Sequence, residues 1–365
     1  MAPVESAEVV VIGGGALGAS VAWHLRELGL TDVVLLERDT LGSGSTRAAA
    51  GGIRTQFADE LNVRIALRSL DEFERMDGID LRQDGYLFLL DRAEDVAAFE
   101  ASVALQNELG VPSRFVSLDE AATLCPIAGL DGVLGATFSP LDGHASPEAV
   151  TQGYASAARA HGATILTGCS LDSIELTGGE INRVDTSLGV IDTGTVVCAA
   201  GVWSPQVAAL VGLELPLEPY AREVGFTGPT PGLPDGIPLT VDFSTGFYFH
   251  REGPGLVFGG REPTIEGVAT HATRRLPLLT ELPIQSSWWG YYEMSPDHNA
   301  LVGEAEEPNR FLYAAGFSGH GFQQCPAVGE YLAERIVGIV PTLNLAAFSA
   351  QRFAHGQPRE EQFVI

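Results

Sequence analysis

Three glycines and one carboxylate carry the first chemical signal in this chain. Gly13, Gly15 and Gly18 form G-x-G-x-x-G, and Glu37 follows nineteen residues after the last of them. That spacing builds a phosphate cradle. The first glycine permits a tight turn, the second lets the backbone approach a pyrophosphate, and the third lets a helix lie close on a strand. The acid accepts hydrogen bonds from ribose hydroxyls and repels a 2′-phosphate. The elements that must position these groups are legible around them. Residues 9–12, VVVI, read as a buried parallel strand. A helix follows the turn, with Ala16 and Leu17 in its first turn, where free N–H groups and the positive dipole end favour phosphate. Residues 33–36 read as the second strand, which delivers Glu37. The segment predicts a dinucleotide site, for NAD or FAD.

Four more segments narrow this choice. Residues 38–57, RDTLGSGSTRAAAGGIRTQF, leave the acid through a loop of Gly, Ser and Thr into Ala-Gly-Gly. Residues 314–329 read AAGFSGHGFQQCPAVG, residues 197–205 read VCAAGVWSP, and residues 292–303 read YEMSPDHNALVG. In chain order the four are similar to segments of the D-amino-acid oxidase superfamily, in the branch with sarcosine oxidase, glycine oxidase and amine dehydrogenases, the first and last of them to its FAD-contacting motifs. The resemblance implies FAD as cofactor. It assigns to FAD Arg38, Ser45, Thr46, Ala49, Ala50, Gly51 and Gly52 of the first segment, and Leu171, Ala200, Gly201 and Trp203. It also assigns Gly316, Phe317, Ser318, Gly319, His320, Gly321, Phe322 and Gln323. It further implies an α/β fold, a Rossmann-like FAD-binding domain interleaved with an α+β substrate domain built on a mixed antiparallel sheet. The FAD domain would comprise 1–80, 142–214 and 296–345, the substrate domain 81–141 and 215–295. Residues 346–365 are expected as a polar surface tail.

The implied chemistry is oxidation of a secondary amine or amino acid (sarcosine, an N-methyl amino acid, proline or glycine) to an imine, by hydride transfer to flavin N5. A fixed guanidinium suits the substrate carboxylate, because it grips two oxygens at once. Arg54 matches the arginine with that role in sarcosine oxidases. Arg261, where those enzymes carry a histidine nearby, is a second candidate, and Tyr248 is a candidate substrate contact. Arg47 is expected to be structural or to meet the cofactor phosphates. His320, between two glycines, is assigned to cofactor binding through backbone N–H groups, and not to proton transfer. Gln323 stands where several sarcosine oxidases carry a carboxylate-holding lysine. It keeps a donor but loses the charge.

All 21 basic residues are arginine, with no lysine anywhere. The position matching the oxygen-activating lysine of sarcosine oxidases is Val257, which tilts the expectation from oxidase toward dehydrogenase. Ala48 and Gly290 stand where some members attach flavin covalently through His or Cys, so FAD is expected to be non-covalent.

Composition sets the outer bounds. A 365-residue chain that is 45% hydrophobic can bury a large core, and a net charge of −26 disfavours nucleic acid and anionic membranes. No transmembrane span, secretory signal or metal-binding spacing is visible, and Cys125, Cys169, Cys198 and Cys325 are expected to be reduced thiols in a cytoplasmic protein. Helices are predicted over 62–76, 92–110, 146–161 and 326–337. Strands are predicted over 85–90, 164–167, 171–176, 183–186 and 196–199, with 216–295 strand-rich. The expected partners are a small amine or amino acid and an electron-acceptor protein or partner subunit. A flavin subunit of a hetero-oligomeric dehydrogenase and a non-catalytic FAD-binding assembly or repair factor stand as alternatives.

Overall fold

The computed structural model describes residues 4–364. Its first layer is a six-stranded sheet in the order Leu301–Glu304, Phe311–Ala315, Val196–Cys198, Val9–Ile12, Val33–Glu37 and Thr164–Thr167. The last five strands run parallel; the first is antiparallel to its neighbour. Both faces are covered, so these strands read as unbroken apolar runs. Three helices lie together on one face, Ala16–Glu27, Pro147–Ala160 and Gly321–Val337, and their apolar residues share one core with that face. Gly18 makes the closest approach. A Cβ there would lie 1.9 Å from the Gly13 carbonyl oxygen, so only glycine lets this helix sit on its strand.

The second layer is an eight-stranded sheet. Its order is Ser286–Met294, Glu218–Phe226, Gly255–Gly259, Tyr248–Glu252, Leu239–Asp242, Tyr86–Leu90, Gly135–Ser139 and Arg114–Val116. All neighbours are antiparallel except Leu239–Asp242 against Tyr86–Leu90, which makes the sheet mixed. A small antiparallel sheet of Leu171–Thr177, Glu180–Thr186 and Gly189–Asp192 completes the strands near the cradle.

Most expected elements occur with shifts of one to three residues at their ends. The helix over 146–161 starts as its chemistry dictates: Ser146 Oγ accepts from Ala149 N at 3.2 Å and Pro147 is the first helical residue. Three expectations need correction. The last helix begins at Gly321, five residues before Pro326. Pro326 lies in the second turn and removes one helical hydrogen bond, and side chains take up groups beside it: Ser20 Oγ donates to the Cys325 carbonyl at 2.9 Å and Ser69 Oγ accepts from Ala327 N at 3.3 Å. The strand-rich 216–295 region also contains a helix, Ile265–Arg275, capped by Thr264 Oγ1 accepting from Gly267 N at 3.2 Å.

The third correction concerns the C-terminal residues, which are a buried strap and not a surface tail. Phe348, Arg352, Glu361 and Phe363 are buried, and Phe363 stacks on Phe99 at 4.1 Å. The Glu361 carboxylate accepts from the backbone N–H groups of Ala58 and Asp59 and from Asn62. The polar residues that make this segment look solvated are satisfying groups inside the protein. All four cysteines are buried and unpaired. Among the described residues no helix is long and apolar enough to cross a membrane.

Candidate active site

A cavity of about 630 Å³ opens at the carboxyl ends of the parallel strands and extends beneath the eight-stranded sheet. Ligands bind at this edge of open α/β sheets. The residues expected at the cofactor line it, except Gly18, Gly316 and Ser318. These three act from behind. Gly18 seats the helix. Gly316 takes a left-handed turn, with φ +70°, against Leu217. Ser318 ties its loop to the strand Ser286–Met294: its N–H donates to the Glu293 carbonyl at 3.0 Å, and its Oγ accepts from Ser295 N at 3.2 Å.

At one end of the cavity Glu37 spans the cradle. Its two carboxylate oxygens accept from Gly14 N and Asp39 N, each at 2.8 Å. Thr46 Oγ1 accepts from Ala16 N at 3.1 Å, which pins the second segment to the first helix. The Arg38 guanidinium lies 3.9 Å over the Trp203 ring. Neither the helix starting at Ala16 nor the one starting at Gly321 is capped by the side chain of its own N-cap residue, and both N-termini border one cavity. Ala48 and Gly290 meet here as well. A Cβ on Gly290 would lie 2.5 Å from that of Ala48.

The other end is cationic and phenolic. Arg54 is buried there, and its guanidinium is enclosed. NH1 donates to the Gln56 carbonyl, and NH2 donates to the Phe363 carbonyl and to His320 Nε2, the latter at 2.9 Å. Arginine only donates, so this Nε2 is an acceptor and the ring proton sits on Nδ1. Burial, and then the neighbouring Arg54 charge, hold His320 well below the usual histidine range, so the ring is neutral. Gln323 Oε1 accepts from Arg54 N at 2.7 Å, which leaves its NH2 as the available donor. Behind this loop, Asp142 accepts from Thr55 N at 2.8 Å and Gln56 Nε2 at 3.1 Å, and burial pushes its carboxyl up to about 6. Tyr86, Tyr248 and Tyr292 line the same end, and burial raises all three phenols, so each stays an O–H donor.

Arg261 does not reach the cavity. Its NH1 donates to the Ser244 carbonyl at 3.2 Å and its NH2 to the Val364 carbonyl at 2.7 Å. The strap, which the sequence reading placed at the surface, takes this arginine out of the site. Sequence reasoning also missed two residues that do line the cavity, Arg222 and Glu293. Each has a buried atom without a hydrogen-bond partner, Arg222 Nε and Glu293 Oε2. A weak signal existed for both. Arg222 interrupts the aromatic strand EPYAREVGF, and Glu293 lies inside the YEMSPDHN segment already singled out. Burial pushes the Glu293 carboxyl up to about 7, against the backbone N–H groups of Gly316 and Phe317, which pull it down.

These features fit FAD. The cradle suits a pyrophosphate, Glu37 suits a ribose, and the orphaned Glu293 oxygen suits a hydroxyl donor such as a polyol chain carries. A metal has no comparable site among the described residues. His144, His250 and Glu252 bring ligand atoms within 4.8 Å of one another, but both His250 nitrogens face carbonyl oxygens at 3.0 Å.

Comparison with known proteins agrees. The family model for FAD dependent oxidoreductases, DAO, matches residues 8–335. FAD-dependent oxidoreductase domain-containing protein 1 of Xenopus laevis is 30% identical over all of this chain and 86% of its own length. Human mitochondrial sarcosine dehydrogenase is 29% identical over 96% of the chain, which spans only 42% of that protein. The crystal structure of L-proline dehydrogenase from P. horikoshii superposes with a TM-score of 0.92, at 35% identity, over 98% of this chain and 100% of that one. The chain therefore belongs to the DAO family of FAD dependent oxidoreductases and is an FAD-binding oxidoreductase.

Proposed function

We propose that this enzyme oxidises a secondary amine or amino acid of the sarcosine, N-methyl amino acid, proline or glycine type to an imine. The observation that carries the reading is one cavity joining a dinucleotide cradle to a cationic, tyrosine-lined end. The relatives named for sarcosine and L-proline support the same substrate class. FAD, when bound, supplies the hydride acceptor. The chain's own residues do the rest. Segments 1–80, 142–214 and 296–345 hold the cofactor, and segments 81–141 and 215–295 cover the substrate. The helix starting at Gly321 directs N–H groups and its positive dipole end at charge that develops near the cofactor. Neutral His320 holds Arg54 in place, and Arg54 supplies fixed positive charge beside the substrate. The phenols of Tyr86, Tyr248 and Tyr292 offer hydrogen bonds while the apolar sheet excludes water.

FAD is held without a covalent bond on this reading, because Ala48 and Gly290 offer no nucleophile. With Val257 buried at the position of the oxygen-activating lysine, the enzyme works as a dehydrogenase. The test is the visible spectrum of the purified yellow protein, without oxygen, as sarcosine, N-methyl amino acids, proline, glycine and D- and L-amino acids are added in turn. Bleaching by one class supports the function, and slow return of colour in air supports the dehydrogenase. No bleaching by any compound sinks the reading of an enzyme active on its own and points to a missing partner subunit or a non-catalytic role, and flavin left in the acid precipitate sinks the non-covalent one.

One observation favours a second reading, a flavin subunit of a hetero-oligomeric dehydrogenase. The edge strand Ser286–Met294 exposes two large aromatic side chains, Trp289 and Tyr291, on one face. Co-purifying chains, and activity only in their presence, would support it.

A further inference from the structure

Three arginines line the cavity, and their donors are spent differently. Arg38 lies at the adenosine end, where it pairs with Asp39 at 3.2 Å and covers Trp203. Arg54 lies at the substrate end, but its two-pronged edges are closed. Both edges of a guanidinium that can grip a carboxylate use a hydrogen of NH2, and Arg54 NH2 already serves the Phe363 carbonyl and His320 Nε2. Arg222 is the reverse. Its NH1 donates to the Ala221 carbonyl at 3.0 Å, its Nε has no partner, and no hydrogen bond engages its NH2 among the described residues. The Nε–NH2 edge is an intact fork. No carboxylate of the described residues pairs with it. The adjacent Glu223 faces away, taking Ile265 N at 2.8 Å and Ser287 Oγ at 2.6 Å.

The surroundings hold that fork in place. Arg222 sits on the strand Glu218–Phe226, opposite Gly290, with its guanidinium carbon 5.5 Å from the Tyr292 ring. Tyr292 in turn packs on Gly319, where a Cβ would lie 2.7 Å from the ring. The strand, the tyrosine and the glycine loop before His320 therefore form one stack at the cavity wall. Across from Arg222, Ala48 packs against Gly290, where a Cβ would lie 2.5 Å from the Ala48 Cβ.

We infer that Arg222 is the residue that grips the substrate carboxylate, through the free Nε–NH2 edge of its guanidinium. Arg54 adds charge to the site but not the two-pronged contact. The ligand class is a monocarboxylate bearing an amine. This inference rests on the amino acid oxidation proposed above, and its test is built to fail separately.

The probe is acetate, titrated into the FAD-loaded protein and read from the flavin difference spectrum, with acetamide as the uncharged control. Arg222→Gln is expected to weaken acetate binding roughly 10- to 100-fold, as the loss of a charge-assisted bidentate contact does. Acetamide binding and FAD affinity stay unchanged. Arg222→Lys, which keeps the charge without the fork, falls between the two and guards against misfolding. Arg54→Gln weakens acetate less than Arg222→Gln. Acetate affinity unchanged in Arg222→Gln would overturn the inference. So would a drop in FAD affinity with acetate binding preserved, because the fork would then belong to the cofactor. If no amine bleaches the flavin, the proposed function fails, and the acetate titration still decides the role of Arg222.

Discussion

Replacing Glu293 by Gln tests the chemistry of the cavity most directly. Burial raises this carboxyl from 4.5 to about 7 in the folded protein. The folded state thus holds its proton more tightly than the unfolded chain. A carboxyl shifted this way adds no penalty below its unfolded value. Between the two values, stability falls by about 1.4 kcal/mol for each pH unit gained, and above the folded value the loss is complete. From 4.5 to about 7 the total is about 3 kcal/mol. Glutamine does not titrate. The flavin-free Glu293→Gln protein should therefore match the parent near pH 4.5 and exceed its stability by about 3 kcal/mol at pH 8.5. Bound FAD should narrow the gap, because a hydroxyl donated to Oε2 stabilises the carboxylate. By linkage, FAD affinity of the parent should rise with pH across the same window, and that of the variant should not. Denaturant midpoints at several pH values, followed by FAD titrations of both proteins, provide the measurement. Equal stabilities at pH 8.5, or a gap that does not change with pH, would refute the reasoning.

Other substitutions probe other parts of the argument. Phe363→Ala removes a fully buried ring stacked on Phe99, a loss of about 3–5 kcal/mol that a terminal strap is poorly placed to absorb. The strap should detach, protease should cut within 355–362, and substrate binding should weaken as Arg54 loses the Phe363 carbonyl; unchanged protease resistance would contradict this. At His24 burial opposes the charge, but the hydrogen bond and charge of Glu72 outweigh it and raise the histidine. Its stabilisation is complete below pH 6.5 and is lost as pH rises through the folded value. The drop in thermal midpoint from pH 5.5 to 8.5 should accordingly be smaller in His24→Gln than in the parent. Gly18→Ala would place a methyl 1.9 Å from the Gly13 carbonyl, forcing the helix off its strand. FAD affinity should fall by roughly tenfold or more, and an apoprotein that binds FAD normally would argue against the close-approach role.

Local sequence determined a great deal about this protein. A β-branched run, glycines at fixed offsets and an acid nineteen residues on dictate a strand, a turn and a helix, because the steric and hydrogen-bonding rules involved act over a few residues. The cofactor cradle was legible for that reason, as was the cap at Ser146. The resemblance of four separated segments extended the reading to the family and to the loop before His320.

The identity of the substrate-gripping residue was not legible in this way. The sequence ranks Arg54 first and Arg261 second, but each is claimed by a carbonyl of the strap, at Phe363 and Val364. Arg222, unremarked in its strand, keeps its fork free. Whether a guanidinium is available depends on acceptors that the fold brings from hundreds of residues away. Only the tertiary structure decides which donors are satisfied and which remain for a ligand.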